Sequence, residues 1–195
     1  MTFRIEDKLF VKTENLFQFY EFLYKNSAKK IFEPRKIKSL YFDNLKLEMY
    51  RDSIEGSVPR KKIRVREYPG SKDKKYYFEM KTSSVEGRFK TREIIDEEKF
   101  LFLQKYGYLD KTYGNCLPNF YVTYEREYSK IKDIRISIDK NIVYTNFLTK
   151  KKYLDNKSIV ELKTSINKNL DDLTEMFPFQ KIRFSKYCFA VESLN

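Results

Sequence analysis

The chain has 195 residues, enough for one domain with a substantial core, and 41% of them are hydrophobic, which excludes a disordered polyelectrolyte. A formal charge of +12 points to a polyanionic partner: nucleic acid, nucleotide, polyphosphate or acidic lipid. With no histidine, the chain cannot use Ser-His or Cys-His nucleophiles, an HExxH metal site or an imidazole base, and its five glycines form no phosphate-binding loop motif.

In chain order, the pattern predicts a strand over Phe3–Lys12. A helix over Thr13–Asn26 follows, capped by Thr13, with Leu16, Phe19, Tyr20, Leu23 and Tyr24 at helical spacing. Strands are predicted over Ile37–Asp43, Lys61–Tyr68, Lys75–Thr82 and Gly87–Ile94. The next helix is Asp96–Tyr106, with Phe100, Leu103 and Tyr106 on one side. Strands Asn119–Tyr128, Asp133–Ile138 and Ser158–Lys163 follow, interrupted by a Lys-rich turn at 149–157. A short helix over Asn169–Met176 stops before Pro178, and a last strand covers Lys181–Val191. These elements describe a single antiparallel α+β domain over residues 1–195. Cys116 and Cys188 stand far apart with no CxxC pair, and MTFRIEDKLF carries no apolar signal core. No apolar stretch reaches membrane-spanning length. A cytoplasmic protein without direct membrane insertion is expected.

Alternation splits each strand into an apolar and a polar face. In KKIRVREY, Lys62, Arg64 and Arg66 share a face opposite Ile63 and Val65. The same parity groups Arg4, Glu6 and Lys8; Glu79 and Lys81; Arg88, Lys90 and Arg92; and Tyr124, Arg126 and Tyr128. It also groups Arg135, Ser137 and Asp139; Glu161 and Lys163; and Arg183, Ser185 and Tyr187. Any one such face could simply be solvated. The set is unusual because eight arginines (Arg4, Arg64, Arg66, Arg88, Arg92, Arg126, Arg135, Arg183) fall on it in a chain whose basic residues are mostly lysine. Arginine is favoured where planar, multidentate contact with oxyanions matters. Glu-x-Lys recurs at Glu6/Lys8, Glu79/Lys81 and Glu161/Lys163, and carboxylates within a cationic surface suggest a divalent cation beside phosphate. If the faces converge, the sheet closes around a charged lumen; parity alone leaves an ordinary sandwich open.

RIEDKLFV, IKSLYFDN, LEMYRDSIEGSVPRKKIRVREY, YYFEMKTSSVEGRFKTRE, VTYEREY, RISID, IVELKT and RFSKYCFAVE occur in an order that resembles the VTC domain, the catalytic domain of the vacuolar transporter chaperone complex and its bacterial relatives. That domain is similar to the triphosphate tunnel metalloenzymes (the CYTH-like superfamily). The resemblance runs from Arg4 to Glu192 and implies a closed antiparallel eight-stranded β-barrel with a charged lumen and a few flanking helices. It implies an ATP-dependent polyphosphate polymerase. Lys8, Arg64, Arg66, Lys81, Lys90, Arg126, Arg135 and Lys186 would be catalytic. Arg4, Lys62, Arg88, Arg92, Tyr124, Lys163, Arg183 and Ser185 would bind substrate. Glu161, with Glu6 or Glu79, would hold Mn²⁺ or Mg²⁺. Lys186 lies on the opposite parity from Ser185, so a bulge is needed if both line the tunnel. Arg4 stands where the adenylate cyclase/thiamine triphosphatase branch has a glutamate, which favours the VTC branch and removes one metal carboxylate. No SPX domain or transmembrane segment is seen, so inositol-phosphate control is not implied. A membrane-protein partner is compatible, and nucleic acid is not expected. The other readings are a triphosphatase, in which Glu6 orients a water, and a non-catalytic polyanion-binding module.

Overall fold

The computed structural model describes residues 4–71, 73–165 and 179–194. The predicted helix Asn169–Met176 lies outside them. The strands are β1 (Arg4–Lys12), β2 (Lys29–Asp43), β3 (Arg60–Glu67), β4 (Tyr76–Ser84), β5 (Gly87–Ile95), β6 (Tyr108–Asp110), β7 (Gly114–Ile131), β8 (Ile134–Asn146), β9 (Lys152–Asp155) and β10 (Lys157–Ser165). The helices are α1 (Leu16–Lys25), α2 (Glu48–Glu55), α3 (Glu97–Tyr106) and α4 (Lys186–Leu194). The strands hydrogen-bond in the order β1-β10-β8-β7-β2-β3-β4-β5, with β6 on β7 and β9 on β8.

The expected closed barrel is not supported: among the described residues β1 and β5 end this order without a pairing between them. β1 satisfies its second edge locally instead. Phe10 N–H donates to the Gln180 carbonyl, Ile182 N–H donates to the Lys8 carbonyl, and Leu9 bridges Lys181. These contacts occupy the middle of that edge, from Lys8 to Phe10.

The residues group into two compact units. The first comprises Met1–Arg35, Tyr124–Ile142 and Leu154–Phe184; the second comprises Lys36–Thr123, Val143–Tyr153 and Ser185–Asn195. In the first, Leu9 and Val11 of β1, Ile134, Ile136 and Ile138 of β8, and Val160 and Leu162 of β10 pack with Phe19 and Leu23 of α1. Each such side chain contributes about 1.5–3 kcal/mol when fully buried. In the second, Leu40 and Phe42 of β2, Ile63 and Val65 of β3, and Tyr76 of β4 pack with Met49 of α2 and with Phe100 and Leu103 of α3. Both cores take the apolar parity, so the charged parity lies on the other face of each sheet.

Local signals explain most boundaries. Asp96 caps α3, accepting from Lys99 N–H at 2.8 Å. Gly107 ends it at φ +80, where a Cβ would stand 2.5 Å from the Cys116 carbonyl oxygen. Thr13 does not cap α1. It lies in a short 3₁₀ turn before Leu16, and its hydroxyl donates to the Asn156 carbonyl. α2, which the apolar pattern did not reveal, starts where Asp43 accepts from Met49 N–H and Tyr50 N–H, and stops at Gly56 with φ 82. The predicted strand Lys181–Val191 is also corrected: only Lys181 makes a strand-like bridge, and a helix runs from Lys186. Its buried positions, Tyr187, Cys188, Ala190, Val191 and Leu194, follow helical spacing. Ser185 and Lys186 therefore meet at a helix start, and no bulge is required.

Candidate functional site

In the second unit, strand register builds the charged face row by row. Tyr41 of β2 lies opposite Arg64 of β3, Arg64 opposite Glu79 of β4, and Glu79 opposite Arg92 of β5. The adjoining rows bring Ser39 against Arg66, Lys62 against Lys81, and Lys81 against Lys90. Four cations converge on Glu79, whose side chain is only 3% exposed. Arg64 Nη2 lies at 2.6 Å, Lys90 Nζ at 2.6 Å, Arg92 Nε at 3.5 Å and Arg66 Nη1 at 3.9 Å. Burial pushes the Glu79 carboxyl up. The charges of Arg64 and Arg66 and the bond from Lys90 outweigh it and hold the group at about 2.

Arg64 also donates from Nε to Glu79 at 2.8 Å and from Nη1 to the Tyr41 hydroxyl at 2.9 Å. Arg66 Nε donates to Ser39 Oγ at 3.2 Å. Burial raises the Tyr41 phenol, but Arg64, Arg66 and Lys186 bring it below its ordinary value. Burial also lowers Lys62, with Lys81 and Arg60 adding to the effect; its Nζ donates to Ser185 Oγ at 2.8 Å. Lys81 is exposed between Lys62 and Lys90, and Arg88 is exposed two residues before Lys90 on the edge strand β5. One carboxylate cannot neutralise four cations, so this face carries surplus positive charge and donors suited to an oxyanion.

In the first unit the charged face carries more carboxylates. Glu6 of β1 lies opposite Lys163 of β10, and Lys8 lies opposite Glu161; across β10, Glu161 faces Ser137 and Lys163 faces Arg135 of β8. Arg126 of β7 donates from Nε and Nη2 to Asp139, the latter at 2.7 Å, and its Nη2 lies 3.6 Å from Glu161. Its guanidinium covers Tyr124, 5.4 Å from the ring centre. Lys163 Nζ is 2.9 Å from Glu161 and 3.9 Å from Glu6, and Lys8 Nζ donates to the Phe184 carbonyl at 2.7 Å. Arg4 occupies the β1 position opposite Ser165, and Arg183 is exposed in the segment before α4.

Burial raises the Glu161 carboxyl. A hydrogen bond with Glu6 and the charges of Lys163 and Arg126 more than offset this, holding it well below the usual carboxylate range. Glu6 and Glu161, both within reach of Lys163, are a carboxylate pair that fits a divalent cation drawing its other ligands from water or phosphate oxygens. Among the described residues no group of three or more Cys, Asp or Glu side chains forms a complete protein cage. Glu79 fits such an ion less well, since its oxygens already face four cations.

Several contributors stand outside the predicted site residues. Asp139 shares the polar parity of Arg135, and that parity was the available signal; its orienting bond to Arg126 was not visible. Tyr41 and Tyr187 stack at 5.4 Å, and the Tyr187 hydroxyl donates to Asp43 at 2.6 Å. Asp43 ends β2 as expected, and Asp52, within α2, accepts from the Tyr113 hydroxyl at 2.6 Å.

The VTC domain family matches residues 3–195. No curated protein matches the chain at a significant level. Among solved structures, a candidate adenylate cyclase from Bacillus halodurans shares the fold with a TM-score of 0.62 at 11% identity, over 95% of each chain. A second candidate adenylate cyclase, from Vibrio parahaemolyticus, gives 0.61 at 13% identity over 98% of this chain and 99% of that one. A Pyrococcus horikoshii protein gives 0.60 at 15% identity, over 97% and 99% respectively.

Proposed function

The chain belongs to the VTC domain family, and from that premise we propose that it is a metal-dependent phosphotransferase acting on ATP and polyphosphate. The observation that carries the reading is the set of Arg64, Arg66, Lys90 and Arg92 around the single carboxylate of Glu79. Phosphoryl transfer needs positioning and charge neutralisation more than covalent help. Arg64 and Arg66 are held in place by Tyr41, Ser39 and Glu79, so their alignment does not await the substrate. The surplus charge receives phosphate oxygens, with Lys62, Lys81, Arg88, Ser185 and Lys186 extending the donor set. Glu161 and Glu6 would hold Mn²⁺ or Mg²⁺, which when bound neutralises phosphate oxygens. Arg126, fixed by Asp139, and Lys163 keep Glu161 ionised. In the reaction the bond from the γ-phosphorus to its bridging oxygen breaks, a terminal polyphosphate oxygen bonds to that phosphorus, and ADP leaves. The acceptor is already an oxyanion, so a chain without histidine suffices.

The test is incubation of purified protein with ATP and Mn²⁺ or Mg²⁺, with and without a short polyphosphate primer, following ADP and separating products on a polyphosphate-stained gel. A ladder of long chains that disappears in Glu161→Gln and in Arg64→Ala/Arg66→Ala is the expected result. Release of phosphate without a ladder would make the protein a triphosphatase. ATP binding without turnover under either metal would leave a binding module.

A further inference from the structure

We propose that Phe32, Arg35, Tyr128 and Arg135 form a nucleobase-stacking platform, the nucleoside subsite of a protein that takes a nucleoside triphosphate; this rests on the reading of ATP as substrate. All four belong to the first unit. The Phe32 and Tyr128 rings meet edge to face at 5.5 Å. The Arg35 guanidinium lies 5.0 Å from the Tyr128 ring centre and 5.9 Å from that of Phe32. The Arg135 guanidinium lies 5.5 Å from each. Two cations sharing two rings make a rigid stack in which each cation–π contact contributes about 0.5–1 kcal/mol at an exposed site.

Tyr128 is buried, at 6% exposure, but Phe32 keeps 48% of its surface open. That is a costly position for an aromatic side chain on a strand otherwise rich in lysine, arginine and glutamate at this end. A half-exposed ring beside guanidinium planes is an arrangement that stacks bases. A bare phosphate chain has no use for the ring.

The placement also fits. Arg135, Lys163 and Glu6 form one cross-strand row, and Ser137, Glu161 and Lys8 form the next. The platform thus adjoins the carboxylate row at a separation of two residues along β8, about 7 Å. Within its own unit, the donors nearest to a base on Phe32 are those of the Arg135–Lys163–Glu6 row. Stacking tolerates any base, so ATP and GTP are held alike.

The experiment is calorimetric titration of wild type, Phe32→Ala and Phe32→Tyr with ATP and with inorganic tripolyphosphate, each with Mg²⁺. Phe32→Ala weakens ATP about tenfold, the effect of losing one stacked base. It leaves tripolyphosphate unchanged, and Phe32→Tyr retains ATP. Equal loss for both ligands, or no loss for either, overturns the platform while the phosphate site stands. If wild type binds neither ligand, the proposed function fails. The platform is then decided by titrating AMP against the aromatic proton signals of Phe32. Saturable shifts at Phe32 support it, and their absence overturns it.

Discussion

Replacing Glu79 with Gln removes the one negative charge among Arg64, Arg66, Lys90 and Arg92 while preserving shape. The carboxyl titrates at about 2 in the folded chain against an ordinary 4.5. That difference, at about 1.36 kcal/mol per pH unit, gives about 3 kcal/mol. The figure agrees with the roughly 3–5 kcal/mol lost when one partner of a buried ion pair is removed. For a chain of this length it lowers the melting temperature by about 6–12 °C at pH 7. Because the folded pKa is depressed, the contribution is fully present above 4.5 and is lost as pH falls toward 2. The gap between wild type and Glu79→Gln therefore narrows from pH 7 to pH 3.5. Inorganic tripolyphosphate should also raise the melting temperature of the variant more than that of wild type, because it replaces the missing charge. Thermal unfolding followed by circular dichroism at both pH values reads all of this. A variant as stable as wild type at pH 7, or a deficit of the same size at pH 3.5, would refute the reasoning.

Tyr187→Phe leaves Asp43 without the phenol bond that opposes its burial, so the Asp43 carboxyl rises further above its ordinary value. The variant loses about 1–3 kcal/mol at pH 7. The loss shrinks as pH falls through the raised Asp43 pKa, which urea unfolding at pH 7 and pH 4.5 would show; a pH-independent deficit would contradict it. Asp96→Ala removes the α3 cap and costs about 1 kcal/mol, measured by the same unfolding curves, without altering ATP binding.

Residue chemistry and period made much of this protein legible. Ile63 and Val65 had to face a core, so Lys62, Arg64 and Arg66 had to share the other side. α1 and α3 announced themselves through apolar side chains at helical spacing. β2 was readable from Ile37, yet it starts at Lys29, because Lys29–Lys36 sets Ile31 and Phe32 on opposite parities among charged residues and shows no alternation. The same limit hid α2, whose eight residues bury only Met49 and Ser53 and depend on Asp43 for their start. At Lys181–Tyr187 the alternation of a strand ran into the spacing of a helix, and a two-residue period over so few positions could not choose between them.

What the sequence determined by itself is which side chains lie on which face of each strand, because that follows from backbone geometry within one segment. Register belonged to the tertiary structure, since it is set by hydrogen bonds between segments far apart in the chain. Register gave Glu79 to four cations, set Glu6 and Glu161 around Lys163, and brought Gln180–Ile182 to the edge of β1. Three Glu-x-Lys pairs that read alike in sequence thus acquired different chemistry, because the charge each carboxylate meets comes from its neighbours across the sheet.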